Sequence, residues 1–153
     1  MPVRPQASNT RLRVVAAGLR KNVRYKIKAT NLMTGQIAAV SEASRRGKII
    51  KTVGIDARGV TKVEVIDNFN NVQKSYVTVG SAQIDCCIAK LVHDAINCTC
   101  KCDQCKKDLR RAQTIRLLIE SAKYEATLGL EATTIEKYNK ALSMCTEVCA
   151  CGC

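Results

Sequence analysis

The sequence predicts an α+β protein in which a small antiparallel β-sandwich is followed by a Cys-clamped helical hairpin. Three observations predict this class. Apolar and polar residues alternate with a period of two in the first 80 residues, apolar residues recur at helical spacing after residue 81, and all ten cysteines lie beyond residue 85. We therefore predict two domains, a basic β-sandwich with an extended N-terminal tail at 1–80 and a Cys-rich helical hairpin at 81–153.

Charge divides at the same place as secondary structure. Residues 1–80 hold 15 Lys and Arg against 4 Asp and Glu, whereas residues 81–153 hold 10 against 9. The whole chain of 153 residues carries a formal charge of +12. No apolar run approaches the roughly 20 residues of a membrane span, and the first residues lack the apolar core of a secretory signal. We expect no membrane association and no secretion.

The first domain is predicted to contain six or seven short strands. Tyr25 and Ile27 alternate with Lys26 and Lys28, so one face of that strand is apolar and the other is basic. The predicted strands cover residues 12–16, 23–29, 36–40, 48–55, 60–66 and 72–79. The turns between them leave no room for crossover helices, so the strands are expected to be antiparallel.

The second domain is predicted to contain three helices. Ser81 is expected to cap the first helix, Asn97 to end it, and Gly129 to end the second helix in a left-handed conformation. The apolar stripe of the first helix comprises Ile84, Ile88, Leu91, Ala95 and Ile96. That of the second comprises Leu109, Ala112, Ile115, Ile119, Ala122 and Ala126. The third carries Ile135, Tyr138, Leu142 and Cys145 on one face.

The cysteines outside the first helix form two clusters, one before the second helix and one at the end of the third. Their members are Cys98, Cys100, Cys102 and Cys105, then Cys145, Cys149, Cys151 and Cys153. An antiparallel hairpin of the second and third helices brings both clusters to one open end. Four thiolates complete a tetrahedral zinc site, and Cys102-x-x-Cys105 has the spacing of a zinc knuckle. We therefore predict Zn²⁺ bound by these eight cysteines.

Disulfide bonds are the alternative chemistry for the same cysteines. A cytosolic chain keeps its thiols reduced, which favours metal, but a particle that leaves its cell is able to oxidise later. Bridges between the two clusters would avoid the strain of bonding Cys149 to Cys151. Cys87 is interpreted as a core residue of the first helix, and Cys86 is left unassigned.

No pattern in the sequence indicates catalysis. His93 is the only histidine, and it follows Cys86 and Cys87 by six or seven residues on one helix, too far for a direct hydrogen bond. No phosphate-binding glycine loop, dinucleotide-binding turn or zinc-protease motif is present in the sequence. We predict a protein that is not an enzyme and has no catalytic residues.

The basic charge has two interpretations. Lys and Arg on strand faces are able to bind a nucleic-acid backbone, or they form a surface that faces an acidic protein neighbour. Single-strand binding by stacking requires aromatic side chains on the basic face. Tyr25 and Tyr76 fall on the apolar phase of their strands and Phe69 lies in a turn, so the sequence does not support that mode and assigns no nucleic-acid-binding residue.

The order of these parts resembles small virion structural proteins of tailed bacteriophages, of the kind placed in rings, collars or tail accessories around the head-to-tail junction. The residues that carry the resemblance are Cys100, Cys102, Cys105, Cys145, Cys149 and Cys151, and it covers chiefly residues 81–153. The resemblance implies a multi-copy assembly subunit without enzymatic activity, docked to other virion proteins and assembled in the host cytoplasm.

Two functional hypotheses follow. The first is a virion structural subunit that forms a homo-oligomer or ring and binds neighbouring virion proteins. The second is a zinc-binding, nucleic-acid-binding module.

Overall fold

The computed structural model describes residues 11–97 and 103–146, with only the backbone described at Gln104, Cys105 and Thr146. Six antiparallel strands in two sheets are followed by three helices, which confirms the α+β class with strands before helices. The chain divides into two compact units, 1–80 and 81–153. The extended tail predicted before residue 11 lies outside the described residues.

The strands of the first unit are β1 (Leu12–Ala16), β2 (Arg24–Asn31), β3 (Ile37–Ala43), β4 (Ile49–Val53), β5 (Gly59–Ile66) and β6 (Val72–Gly80). A two-stranded sheet pairs β1 with β4, and a four-stranded sheet has the order β3-β2-β5-β6. Each strand overlaps one predicted from the sequence. β3 differs most, since it runs to Ala43 rather than ending at Val40.

The core of this unit lies between the two sheets. Val14 and Val53 enter it from the two-stranded sheet, and Ile27, Val63 and Val65 enter it from the four-stranded sheet, all with no exposed surface. Burial of each such side chain contributes about 1.5–3 kcal/mol. The alternation of apolar and basic residues along β2 therefore has the predicted meaning, because its apolar set fills the core.

Asn31 is a fully buried polar side chain at the end of β2. Its Nδ2 donates to the carbonyl oxygens of Asp56 at 2.9 Å and Arg58 at 3.0 Å. Its Oδ1 accepts hydrogen bonds from the backbone N–H groups of Met33 at 2.9 Å and Thr34 at 3.1 Å. All the hydrogen-bonding capacity of the amide is used, so it fastens two loops to the sheet without leaving a polar atom unsatisfied.

A two-residue turn joins β3 to β4. Arg46 and Gly47 both have positive φ, 55° and 74°, as a type I′ turn requires. The flanking residues Arg45 and Lys48 exchange backbone hydrogen bonds of 2.9 and 3.0 Å. Because β3 and β4 belong to different sheets, this turn links the two layers at one end of the sandwich.

The helices of the second unit are α1 (Ala82–Ile96), α2 (Asp103–Thr127) and α3 (Glu131–Thr146). α2 packs against α3 as a hairpin, and α1 packs against α2 and contacts α3. Gly129 has a φ of 75°, and N–H groups of Gly129 and Leu130 donate to the carbonyl oxygens of Ala126 and Glu125. These two hydrogen bonds form a Schellman motif, which confirms the predicted glycine cap.

The start of α2 departs from the predicted apolar stripe. Leu109 is 39% exposed, whereas the neighbouring Asp108 is buried, at 4%. α3 is nine residues shorter than α2. Because the two helices are antiparallel, about the first 13 Å of α2 extends beyond the end of α3, and Leu109 lies in that part. The stripe from Ala112 to Ala126 is buried, and only its first member was wrongly assigned.

Two further expectations about the helices are corrected. Ile96 at the end of α1 is 71% exposed. Ser81 occupies the N-cap position without a capping hydrogen bond, because its Oγ donates to Asp85 Oδ2 at 3.0 Å instead of accepting from a backbone N–H. On α3 the buried face is centred on Tyr138 and Ala141.

Candidate functional site

A disulfide bond between Cys87 and Cys145 joins α1 to the last turn of α3. The two Cα atoms are 6.0 Å apart, within the range of native disulfides, and the cysteines are 58 residues apart in sequence. Both side chains are half-buried. The interpretation of Cys87 as an ordinary core residue was therefore incomplete, because it lies on the inward face but is covalently bonded there.

The bridge changes the predicted zinc ligand set. A sulfur atom in a disulfide is not a thiolate ligand, so Cys145 is withdrawn from the set while the bond is intact. Of the other seven predicted ligands, Cys105 is described by its backbone alone, and six lie outside the described residues: Cys98, Cys100, Cys102, Cys149, Cys151 and Cys153. Within the described residues, no group of three or more His, Cys, Asp or Glu side chains is arranged to hold a metal ion. The predicted meeting of the two clusters at the open end also lies outside those residues.

The bridge restrains the helical unit strongly. Closing a loop of 58 residues removes conformational entropy from the unfolded chain, which amounts to about 4 kcal/mol of stabilisation in the chain-entropy model. Because α2 lies between the bonded cysteines in sequence, the bond limits the separation of all three helices. This pair joins α1 to α3, whereas the clamp predicted between Cys98–Cys105 and Cys145–Cys153 stays a prediction.

The cysteines of α1 and His93 do not form a catalytic pair. Cys87 is bonded to Cys145, and Cys86 is an exposed free thiol. The His93 side chain is 75% exposed, with its Nδ1 at 3.6 Å from Asp94 Oδ1. His93 therefore lies at the surface of α1, beside a carboxylate of its own helix.

An ion pair supports the packing of α2 on α3. Lys137 Nζ donates to Glu125 Oε1 at 2.5 Å and to Ser121 Oγ at 2.6 Å. The hydrogen bond from Lys137 lowers the pKa of the Glu125 carboxyl below its usual value. The carboxylate thus stays ionised in mildly acidic solution, and the pair persists there.

A second apolar stripe runs along the exposed side of α2. Leu117, Tyr124 and Leu128 are 66%, 65% and 56% exposed. Their spacing of seven and four residues puts them on one face, opposite the face on which Ile115 and Ile119 are buried. Sequence analysis did not find this stripe, because the stronger apolar set of the same helix dominates its pattern.

Few acids neutralise the basic residues of the sandwich. Lys51 lies 3.0 Å from Glu42, and Arg58 lies 2.8 Å from Asp56. Hydrogen bonds from these two bases lower the pKa of each carboxyl. Glu42 also interacts electrostatically with Arg24 of β2, and both acids bind a base outside β2 most closely.

None of the described helices combines the length and the hydrophobicity needed to cross a lipid bilayer. Comparisons with protein-family models, with curated proteins and with solved structures find no match to this chain.

Proposed function

We propose that the chain is a non-enzymatic structural subunit of a bacteriophage virion, placed at the head-to-tail junction or in the tail and present there in several copies. The observation that carries the proposal is the exposed stripe of Leu117, Tyr124 and Leu128 on α2. The resemblance of the cysteine pattern to small phage virion proteins supplies the setting.

The stripe is suited to contact with a second copy of the chain. Leu117, Tyr124 and Leu128 occupy three positions of the alternating four- and three-residue spacing that forms the seam between paired helices. The remaining position, residue 121, is a serine that also contacts Lys137 of α3 and lies at the edge of the seam. Burying one Leu or Tyr of this stripe in a helix–helix contact contributes about 1.5–3 kcal/mol. The disulfide and the Lys137–Glu125 pair hold α2 in place, so little ordering is required when the contact forms.

Light scattering after size-exclusion chromatography tests this proposal. We expect the wild-type chain to form oligomers at concentrations of about 100 μM, a range typical of modest interfaces. The triple variant Leu117→Ser, Tyr124→Ser and Leu128→Ser should be monomeric with unchanged helical circular dichroism. A matched control replaces three exposed polar residues of α2 outside the stripe (Arg116→Ser, Lys123→Ser and Thr127→Ser) and should associate like wild type. A wild-type monomer, or a triple variant that still associates, would contradict the proposal.

We also propose one zinc ion per chain rather than two. With Cys145 bonded to Cys87, seven of the eight predicted ligands remain, one fewer than two separate four-cysteine sites need. The segment 98–105 contains four of them, enough for a single tetrahedral site. Lys101 and Lys106 flank its cysteines and favour their thiolate form.

Elemental analysis of protein purified without added metal tests the zinc proposal. We expect close to one zinc per chain, with release of that zinc when the thiols are modified by a mercurial reagent. The Cys145→Ser variant should keep its zinc. Absence of zinc would overturn the proposal. If no more than two free thiols then remain, Cys86 and one of the seven, the disulfide alternative holds for the other cysteines.

A further inference from the structure

Three connections meet at one end of the sandwich. The backbone N–H groups of Leu19 and Asn22 donate to the carbonyl oxygens of Gly47 and Ser44, each at 3.0 Å, which joins the loop 17–23 to the turn 44–48. The turn 67–71 lies at the same end, because it follows Ile66, which pairs near the start of β2. We call residues 17–24, 44–48 and 67–71 the cationic end.

Positive charge is concentrated in these segments. Six exposed basic residues occupy the cationic end: Arg20, Lys21, Arg24, Arg45, Arg46 and Lys48. None of the six forms a salt bridge with an acid of the described residues. The cationic end contains one acid, Asp67, whose carboxylate accepts hydrogen bonds from the N–H groups of Phe69 and Asn71 and from the Gln73 side chain. This acid is hydrogen-bonded within its own turn. Of the six bases, Arg24 interacts electrostatically with Glu42, which is itself bonded to Lys51.

The exposed aromatic ring of Phe69 lies at the cationic end. Phe69, the only phenylalanine of the chain, is 83% exposed in the turn between β5 and β6. It borders a groove of about 480 Å³ whose other walls include Arg20, Tyr25 and the one acid of the cationic end, Asp67. A single exposed apolar side chain is ordinary on a protein surface. Here, however, the ring shares its groove with a base of the cationic end, which the sequence alone did not indicate.

The backbone of the cationic end is held firmly in place. Ser44 is 1% exposed, and its Oγ donates to the carbonyl oxygen of Arg20 and accepts from the N–H of Val23. The N–H of Arg20 in turn donates to the Tyr25 hydroxyl at 3.0 Å. Gly47 lies so close to Leu19 that a Cβ added at residue 47 would be 2.6 Å from the carbonyl oxygen of Leu19. Such a surface loses little conformational entropy when a ligand binds.

We propose that the cationic end binds single-stranded nucleic acid, with phosphates contacting its basic side chains and one base stacked on Phe69. A basic surface beside an exposed aromatic ring is the arrangement that binds single strands without sequence preference. Here the excess of positive charge comes from the segments 17–24 and 44–48 that flank the groove. Arg24, Lys26 and Lys28 extend the path along the outward face of β2 for about 13 Å. An acidic protein would use the charges but would gain little from the ring. An anionic lipid surface would contact both charges and ring, so it is tested directly by competition.

Fluorescence anisotropy with a 5′-fluorescein dT₂₀ strand and a mixed-sequence 20-base-pair duplex, between 50 and 200 mM KCl, tests the charge part of the proposal. The fivefold variant Arg20→Gln, Lys21→Gln, Arg45→Gln, Arg46→Asn and Lys48→Gln should reduce the slope of log K against log salt for dT₂₀ by about 3.5. Asn is used at position 46 because it tolerates the positive φ found there. The control removes five exposed charges of the helical unit: Lys90→Gln, Arg110→Gln, Arg116→Gln, Lys123→Gln and Lys140→Gln. It should leave the slope within one unit of wild type, and equal losses in both variants would overturn the site.

A second variant tests stacking separately from charge. Phe69→Ala should weaken dT₂₀ binding about tenfold and leave duplex binding unchanged, and Phe69→Tyr should restore it. Unchanged dT₂₀ affinity in Phe69→Ala would overturn the stacking contact.

Competition identifies the ligand class: displacement of dT₂₀ by polyglutamate or by phosphatidylserine vesicles at equal charge concentration would overturn nucleic acid as the occupant. The serine variant of the α2 stripe should bind dT₂₀ like wild type, so a failure here is distinguishable from a failure of the assembly proposal.

Discussion

The two units of the chain are stabilised in different ways. The sandwich buries branched aliphatic side chains from both of its sheets, such as Ile27, Ile49 and Val63. The helical unit buries many alanines where its helices meet: Ala112, Ala122, Ala126 and Ala141 are at most 4% exposed. An alanine buries about three fewer carbons than an isoleucine, which is worth about 2 kcal/mol per position. The helical unit compensates for its smaller apolar core with a covalent bond.

The two proposed roles, nucleic-acid binding and assembly, fall on units that are stabilised differently. The charge that we propose to bind nucleic acid lies on the unit that needs no disulfide bond. The stripe that we propose to mediate assembly lies on the unit that the Cys87–Cys145 bond holds together. A change of redox conditions should therefore act on assembly and leave the basic surface intact.

The largest expected effect is the loss of a core side chain from the sandwich. Ile27→Ala should lower the free energy of unfolding of this unit by as much as about 5 kcal/mol, because Ile27 is fully buried between the sheets. Hydrogen exchange measured by mass spectrometry should show faster exchange in β2 and β5 and unchanged exchange in α2. The control Val15→Ala removes a side chain that is 47% exposed and should cost less than about 1 kcal/mol. Equal effects of the two substitutions would contradict the assigned core.

The next largest effect is the loss of the bridge. Cys87→Ser should destabilise the helical unit by about 4 kcal/mol, since it releases a loop of 58 residues, and should leave the sandwich unchanged. Thermal unfolding followed at 222 nm measures the change under non-reducing conditions. Cys86→Ser, which removes the exposed free thiol next to it, should unfold like wild type. Identical unfolding curves for the two variants would show that the bridge contributes nothing.

A smaller effect is expected at the buried amide of the sandwich. Asn31→Ala should cost about 2 kcal/mol, because two carbonyl oxygens and two N–H groups lose their hydrogen-bond partner in a buried position. Chemical denaturation gives the change in the free energy of unfolding. Asn68→Ala, at an exposed turn position, is the control and should change it by less than about 0.5 kcal/mol. A neutral Asn31→Ala variant would disprove the anchoring role.

The smallest expected effect concerns the turn between α2 and α3. Gly129→Ala should cost about 1 kcal/mol, since the residue has a φ of 75° that disfavours a side chain although the space around it is open. Gly54→Ala is also surrounded by open space but lies outside the left-handed region, so it should cost less. The melting temperatures of the two variants provide the comparison. A cost at Gly54 equal to that at Gly129 would argue against the left-handed cap.

Local patterns of the sequence were sufficient to predict most of the fold. Alternation placed β1 at residues 12–16, and the position of Gly129 correctly ended the hairpin turn, because both depend on neighbours in sequence. The buried Asn31 was missed, since the carbonyl groups that accept from its Nδ2 belong to a loop 25 and 27 residues further along the chain.

The candidate sites were predictable only in part. Periodicity placed Cys87 and Cys145 on inward faces of their helices, but their pairing depends on how α1 aligns with α3. The same limit applies to Phe69, which sequence analysis placed in a turn without showing that Arg20 shares its groove. Contacts of this kind are fixed by tertiary packing, which no local pattern contains.

The central claim is that a single covalent bond between α1 and α3 holds the helical unit, whereas the sandwich is held by its core. Alkylation of free thiols without reduction, followed by proteolysis and mass spectrometry, tests it most directly. The account predicts a cross-linked peptide containing Cys87 and Cys145, with Cys86 alkylated. Recovery of Cys87 and Cys145 as separately alkylated thiols in the folded protein would contradict it.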